Sequence, residues 1–235
     1  MAQAGIHALV GAAARKITPN RQWLMLGILL GSLFPDLDNY GVAVATVARL
    51  QVAGHGLHRT FTHSLAAILG AVVVFFIVAR LTKQARWTTL GVGMGIGIAL
   101  HIVLDLLIWF NGVELLWPFG GWVNLWAGLT PPAWFTRLMD PAEFLFLALF
   151  FTWLLGAART HGTDLDFLRP LRWWIIGMLV LLAIFTPLAY IMSRGFLTIY
   201  GVFYLVALTA AFVITIRMRQ TVEAVGWHLR PQAMG

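Results

Sequence analysis

The sequence contains no cysteine and few charged residues of either sign. Only 11% of its 235 residues are charged, with 16 lysines and arginines against nine aspartates and glutamates. The absence of cysteine excludes disulfides, a thiolate nucleophile and a sulfur-rich zinc site, so any metal must be held by nitrogen and oxygen ligands. The scarcity of charge excludes an ordinary soluble domain, because such domains carry about a quarter charged residues.

Apolar residues make up 60% of the chain. Several uninterrupted apolar runs approach or reach the ~20 residues that cross a bilayer core. We therefore predict an all-α, polytopic helical membrane protein that forms a single membrane-embedded domain over residues 1–235. Two or three short N-terminal helices are expected at about 5–16, 22–34 and 41–53, followed by five strong transmembrane helices at about 62–81, 87–110, 141–158, 173–192 and 196–216.

The second strong span carries glycine at positions 91, 93, 95 and 97. Glycines four residues apart lie on one helix face, so these positions predict two smooth faces for close packing against neighbouring helices. A phosphate-binding glycine loop is disfavoured, since no strand precedes these residues and nothing polar surrounds them. The long loop at 111–140 is rich in tryptophan, which is typical of a membrane interface.

The net charge of +7 comes from basic residues that lie mostly at the ends of apolar segments. At such positions they set topology and meet lipid headgroups, so we expect membrane lipid and no nucleic acid as a partner. The positive-inside rule places the basic groups around Arg80, Arg159 and Arg217 on the cytoplasmic side, together with the C-terminus. The histidine- and aspartate-rich loops then face the extracytoplasmic side of the inner membrane.

Histidines and aspartates are concentrated in four short stretches. These stretches carry His7, then Asp36 and Asp38 after a proline, then His58, Arg59 and His63, and finally His101 with Asp105. The last two are four residues apart on a predicted span, so they share one helix face and can reach one ion. An ionisable residue inside a membrane span indicates a functional site by default.

Each stretch also has a plainer interpretation. His101 and Asp105 could be a hydrogen-bonded pair that links helices, and the earlier aspartates could be solvated carboxylates in a helix-terminating turn. The loop histidines could be interfacial, with Thr62 capping the following helix, and His7 could be a packed polar residue. Together, the four stretches favour a site for one to three divalent ions, with zinc first and manganese or magnesium as alternatives.

The order of these motifs resembles that of the YdjM-like membrane-bound metal-dependent hydrolases. The resemblance covers roughly residues 1–120, from His7 through Pro35-Asp36-Leu37-Asp38 and His58-Arg59-x-x-Thr62-His63-Ser64 to His101-x-x-x-Asp105 and Leu116-Trp117-Pro118-Phe119. It marks residues 1–120 as the metal-site half and leaves 121–235 as a transmembrane half without a recognised motif. The family is distantly similar to zinc-dependent phospholipase C and the fungal single-strand nucleases, helical phosphodiesterases with three zinc ions.

The resemblance also implies a ligand set. One ion would be surrounded by His63, His101, Asp105 and one of Asp36 or Asp38, with His7 and His58 at that ion or a neighbouring one. The soluble relatives complete their third ion with a further histidine and glutamate. We find no matching pair here, although Glu114 is available, and this departure favours one or two ions.

The activity that the resemblance implies is hydrolysis of a phosphoester by a metal-activated water. Arg59 could pair with a phosphate oxygen, Asp105 could bridge two ions, and the member of the Asp36/Asp38 pair that is not a ligand could act as a general base. The position under a tryptophan-rich loop suggests a lipid or lipid-linked phosphate as substrate. Two other classes stay open: a divalent-metal transporter, which should line a path through the membrane with polar residues, and a non-catalytic scaffold or regulatory protein.

Overall fold

The computed structural model describes residues 3–19, 21–50, 56–192 and 194–226, and helices dominate these ranges. The helices are α1 Ala4–Ala13, α2 Leu24–Leu33, α3 Asp38–Val47, α4 Leu65–Thr82, α5 Ala85–Ile108, α6 Ala133–His161, α7 Leu168–Ile191, α8 Phe196–Arg217 and α9 Arg219–Val225. Five of them, α4 to α8, are long and apolar enough to cross a membrane. The prediction of an all-α polytopic membrane protein with five strong spans after three short helices is confirmed.

The short helix α2 lies at the centre of the bundle, and every one of its residues is buried. It packs against α1, α5 and α8, so protein and not lipid surrounds it. At its beginning, the Glu223 carboxylate of α9 accepts hydrogen bonds from the backbone N–H groups of Trp23 (2.6 Å) and Leu26 (3.4 Å). These bonds satisfy N–H groups that a helix leaves without partners in its first turn.

Helix α5 uses its two glycine faces for two different neighbours. Gly93 and Gly97 face α2, where a Cβ atom added at Gly97 would lie 2.2 Å from the Ile28 carbonyl oxygen. Gly95 faces α4, where an added Cβ atom would lie 3.0 Å from a methyl group of Val72. The predicted close packing of this helix is therefore confirmed, and it brings the backbones of α2 and α5 nearly into contact.

Helix α6 differs from its predicted extent, because it begins at Ala133 and contains Pro141 in its interior. The segment predicted as loop up to residue 140 is therefore partly helical. A proline in a helix removes one N–H donor, but neighbouring helices in a membrane bundle tolerate such a break. After the last span, Arg219 begins the short helix α9, which the sequence did not predict.

Helix α1 is held against α6 by contacts at Gly5. The backbone N–H of Gly5 lies 3.1 Å from both carboxylate oxygens of the buried Glu143. A Cβ atom at Gly5 would lie 2.6 Å from the Leu147 backbone nitrogen, so only glycine allows this approach. A carboxylate at the beginning of a helix is stabilised by the helix dipole, and here it fixes the helix that carries His7.

The segment between α5 and α6 contains a two-stranded antiparallel hairpin, β1 Val113–Glu114 and β2 Trp122–Val123. Residues of and beside β1 bind the loop before α4: the Glu114 N–H donates to the Arg59 carbonyl (2.9 Å), and the Leu65 N–H donates to the Leu115 carbonyl (3.0 Å). Ser64 caps α4, because its hydroxyl accepts from the Ala67 N–H, so the plainer interpretation with Thr62 as the cap does not hold.

Candidate metal centre

Six of the seven predicted ligands meet in the interior of the bundle. They form two groups whose ligand atoms lie within 4.8 Å of one another, His7 with His101 and Asp105, and Asp36 with His58 and His63. All of them except His58 are at most 1% exposed. The groups are drawn from α1, the turn after α2, the loop before α4, and α5, so the fold and not local sequence brings them together.

The imidazoles of His63 and His101 point their Nε2 atoms at each other, 3.2 Å apart. The Nδ1 atom of His101 lies 2.8 Å from the Ser32 carbonyl oxygen, which can only accept, so Nδ1 carries the proton. The Nδ1 atom of His63 lies 3.3 Å from a carboxylate oxygen of Asp38, which assigns its proton in the same way. With these protons in place two lone pairs face each other, an arrangement that repels unless a proton or metal cations lie against them.

Asp105 connects the two groups through its two oxygens. Its Oδ1 atom lies 3.1 Å from His7 Nε2, and its Oδ2 atom lies 3.4 Å from His63 Nε2 and 3.8 Å from His101 Nε2. Zinc bonds of about 2.0–2.2 Å to nitrogen or oxygen place tetrahedral ligand atoms roughly 3.3–3.6 Å apart. The distances from Asp105 to these three histidines, 3.1–3.8 Å, lie around that spacing, so these residues could hold a divalent ion, and Asp105 contacts members of both groups.

Asp36 follows Pro35 in a single 3₁₀ turn after α2, and its carboxylate points inward. Its Oδ1 atom lies 3.9 Å from His101 Nε2, and its Oδ2 atom is buried with no hydrogen-bond partner among the described residues. Burial raises the pKa of the Asp36 carboxyl well above its ordinary value, and the nearby carboxylates of Asp105 and Asp38 raise it further. Without a cation, a negative charge here is therefore unfavourable.

Asp38 belongs to neither group, although the sequence leaves it as an equal alternative to Asp36. Its oxygens already accept from the Arg59 N–H (3.1 Å) and the Thr62 hydroxyl (2.8 Å), and they contact His58 Nδ1 (2.7 Å) as well as His63. Burial raises the pKa of the Asp38 carboxyl, but the hydrogen bonds from the two histidines outweigh it and hold the pKa below its usual range. Asp38 thus orients ligands and has little capacity left to bind an ion.

His58 is the most exposed member of the cluster, with 19% of its side chain accessible. Burial lowers its pKa to about 4, so the imidazole is neutral at physiological pH, as a metal ligand must be. Its Nδ1 atom contacts Asp38, whereas its Nε2 atom is buried and has no hydrogen-bond partner in the described ranges. The Nε2 atom of His58 could therefore bind a metal ion, and His58 marks the side on which solvent reaches the cluster.

Arg59 lies beside the cluster with an unusual backbone conformation. Its φ angle is +68°, which non-glycine residues adopt rarely and often at functional sites. Its guanidinium Nη1 atom donates to the Gly112 carbonyl (3.3 Å) and lies 3.4 Å from Asp105 Oδ2. The positive charge thus lies against a predicted ligand and next to the space that an ion and its substrate would share.

The sequence analysis missed a second set of buried polar residues. Asp140 and Glu143 are buried on α6, and Tyr200 and Tyr204 are buried on α8. The signal for the first pair was present, since two carboxylates three residues apart next to an apolar run are costly in a membrane. Asp140 fell at the end of the predicted loop and Glu143 in the first turn of the predicted span, because Pro141 was taken as the beginning of that span.

The fold and the cluster together define a polytopic helical membrane protein with buried histidine and aspartate groups that could hold a metal ion. Residues 2–162 match the family described as YdjM inner membrane protein. The chain therefore belongs to the YdjM family and is an integral protein of the inner membrane, and the match extends beyond residue 120 to include all of α6. No curated protein matches the chain, and no solved structure matches it either.

Proposed function

We propose that this protein is a membrane-embedded metal-dependent hydrolase that cleaves a phosphoester of a lipid or lipid-linked substrate. The observation that carries the proposal is the pair of facing Nε2 atoms on His63 and His101, with the carboxylates of Asp36 and Asp105 around them. Buried ligand atoms without hydrogen-bond partners among the described residues, Asp36 Oδ2, His58 Nε2 and Asp105 Oδ2, support a bound cation. Zinc suits this set of nitrogen and oxygen donors best.

The residues divide into ligands and orienting groups. His7, His101 and Asp105 would hold one ion, and Asp36, His58 and His63 a second, with Asp105 between them. The Ser32 carbonyl and the Asp38 carboxylate fix the rings of His101 and His63, as partners of metal-binding histidines commonly do. This assignment favours Asp36 over Asp38 as the aspartate ligand, and two ions over three.

A bound divalent ion would supply Lewis acidity, which polarises a phosphoryl oxygen and lowers the pKa of a water molecule. The protein contributes the remaining groups. Arg59 would pair with a phosphoryl oxygen and stabilise the negative charge that develops during hydrolysis. The substrate would approach on the His58 side, because the other members of the cluster are sealed within the bundle.

Metal content tests the ligand assignment directly. We expect purified wild-type protein to carry one to two equivalents of divalent metal, and His63→Ala and Asp105→Ala to lose most of it. His161→Ala is the matched control, because His161 ends α6 and belongs to neither ligand group. Unchanged metal content in both cluster variants would contradict the assignment.

The substrate class needs a separate assay. The metal-loaded protein should hydrolyse phospholipids or polyprenyl phosphates presented in micelles, and Asp105→Ala should not. Turnover of soluble phosphodiesters alone would reject the lipid substrate while keeping the hydrolase. Metal transport into proteoliposomes without hydrolysis of any ester would instead favour the transporter alternative.

A further inference from the structure

Buried polar groups continue beyond the metal ligands, towards the end of the bundle where α5 ends and α6 and α8 begin. On α8, the hydroxyls of Tyr200 and Tyr204 are buried and have no hydrogen-bond partner within the described residues. On α6, Glu143 is fully buried, and Asp140 is 9% exposed. All four residues lie within about three helical turns of the helix ends, which is the same depth range as Asp105.

These groups are neighbours in space as well as in depth. The rings of Tyr200 and Tyr204 stack with their centroids 6.0 Å apart. The charges of Glu143 and Asp140 act on the Tyr200 hydroxyl, and those of Asp36 and Glu143 act on the Tyr204 hydroxyl. Asp140, the least buried of these groups, thus acts on Tyr200, and Asp36, in the candidate metal centre, acts on Tyr204.

The hydroxyl groups themselves need an explanation. Phe144, Phe185 and Phe196 pack around Tyr200 and fill the same region without any polar atom. A phenylalanine at either tyrosine position would pack equally well and would avoid burying an unpartnered hydroxyl, which is costly where no bulk water can reach it. Bound water can satisfy the hydrogen-bonding capacity of several such groups in one polar region, since a buried water typically makes about three hydrogen bonds.

We propose that ordered water molecules lie between Tyr200, Tyr204, Glu143 and Asp36 and connect the candidate metal centre with the aqueous phase beyond Asp140, the least buried of these groups. The role of this path rests on the proposed function, because hydrolysis consumes one water molecule for each ester bond cleaved. The ligands are at most 1% exposed apart from His58, so water needs its own route to them. Because water would arrive along this path, the His58 side would remain open for the phosphoester substrate.

Radiolytic hydroxyl-radical labelling of the purified full-length protein tests for this water independently of any activity. Radicals formed from water bound next to a buried aromatic ring modify that ring, whereas dry rings are protected. We expect Tyr200 and Tyr204, which are 7% and 4% exposed, to be modified and the fully buried, apolar Phe144 and Phe151 to stay unmodified. Labelling of the tyrosines no faster than of these phenylalanines would overturn the proposal.

Removing the hydroxyls tests the role of the path. In Tyr200→Phe/Tyr204→Phe, we expect unchanged metal content and a loss of turnover at saturating substrate. Tyr190→Phe, at an exposed position on α7, is the matched control and should be unchanged. Full turnover in the double variant would overturn the water-supply role. Labelled tyrosines in a protein that hydrolyses no ester would reject the proposed function and leave the hydrated path established.

Discussion

Asp38 organises the loop before α4 through one buried carboxylate. It accepts from the Arg59 backbone and the Thr62 hydroxyl and contacts the rings of His58 and His63. These interactions determine which nitrogen of each ring faces the cluster. We therefore expect Asp38 to affect metal affinity without binding the ion itself, because it sets the orientation of two predicted ligands.

We expect Asp38→Asn to lower both metal affinity and stability. The amide keeps one acceptor but loses the charge, and hydrogen bonds to a charged group contribute about 1.5–3 kcal/mol. Titration with zinc should show affinity reduced by roughly 10–100-fold, as for other partners of metal-binding histidines. Thr46→Ala is the control, since Thr46 is exposed on α3 and its hydroxyl donates to the Val42 carbonyl of the same helix. Equal zinc affinity in Asp38→Asn and wild type would contradict the orienting role.

Arg59 is expected to act on the reaction and not on metal loading. Its guanidinium lies 3.4 Å from Asp105 Oδ2 but offers no lone pair to an ion. Removing a donor that stabilises developing charge typically lowers kcat by about 10²–10³-fold. In Arg59→Gln we therefore predict such a fall in kcat for the hydrolysed ester, with metal content within the range of the wild-type protein. A variant that loses its metal instead would show that Arg59 has a structural role.

At the scale of elements, the contact between α2 and α5 determines how accurately the ligands are placed. Gly97 on α5 touches the backbone of α2 one turn before His101, whose ring binds the Ser32 carbonyl of α2. Any side chain at this contact must push the two helices apart. This separation would displace the His101 ring from the Ser32 carbonyl and would shift Asp36, which follows α2.

We predict that Gly97→Ala loses bound metal although it changes no ligand. The added Cβ atom would lie 2.2 Å from the Ile28 carbonyl oxygen, a distance that only backbone movement can relieve. Gly70→Ala is the matched control, since Gly70 lies on α4 with nothing within 4 Å of the added atom. Metal analysis and thermal unfolding of both variants check this, and normal metal content in Gly97→Ala would contradict it.

The bond between α9 and α2 should make stability depend on pH. Burial raises the pKa of Glu223, although the backbone N–H groups of Trp23 and Leu26 partly oppose this. The folded state then holds the proton more tightly than the unfolded state. Glu223 therefore contributes its full stabilisation below its pKa in the unfolded state, and this stabilisation is lost as the pH rises through its pKa in the folded state.

We predict that Glu223→Gln, which keeps an acceptor but cannot ionise, removes this loss. Between about pH 4 and 7, the unfolding temperature of the wild-type protein should fall relative to that of the variant. Differential scanning fluorimetry in detergent at a series of pH values measures the difference. A constant difference between the two proteins across this range would show that Glu223 does not titrate in it.

The elements that could be predicted from sequence are those defined by long apolar runs. The five spans were found because their length and composition depend on the membrane and not on tertiary contacts. The beginning of α6 was missed because Pro141 usually ends a helix, whereas packing against α1 sustains this one. Helix α9 was missed because its seven residues gain stability from their contacts with α2 and α6, which local sequence does not reveal.

For the molecule as a whole, the sequence predicted which residues come together, but not which of them are placed as metal ligands and which orient those ligands. Charge alone predicts that the four stretches lie on one side of the membrane, which stays a prediction, whereas the structure brings six of the seven predicted ligands together. Choosing between Asp36 and Asp38 required the hydrogen bonds around each carboxylate. The role of α6 in positioning α1 could not be predicted, because it depends on a contact between Gly5 and Glu143, which are 138 positions apart in the sequence.

The orientation in the membrane is a prediction that single cysteines can test, since the natural chain has none. Phe119 lies between α5 and α6 and is 94% exposed, and the exposed Lys83 lies between α4 and α5 at the other end of α5. In intact spheroplasts, we expect a membrane-impermeant maleimide to label Phe119→Cys and to reach Lys83→Cys only after lysis. The reverse pattern would place the cluster on the cytoplasmic side.

The burial of the ligand cluster has a kinetic consequence. Its members come from α1, the turn after α2, the loop before α4, and α5, and five of the six are at most 1% exposed. An ion bound among them would reach solvent only past His58, the one member of the cluster with appreciable exposure. Release of the ion would therefore be slow. The metal present in the cell while the bundle assembles would then influence which ion the purified protein carries, beside equilibrium affinity.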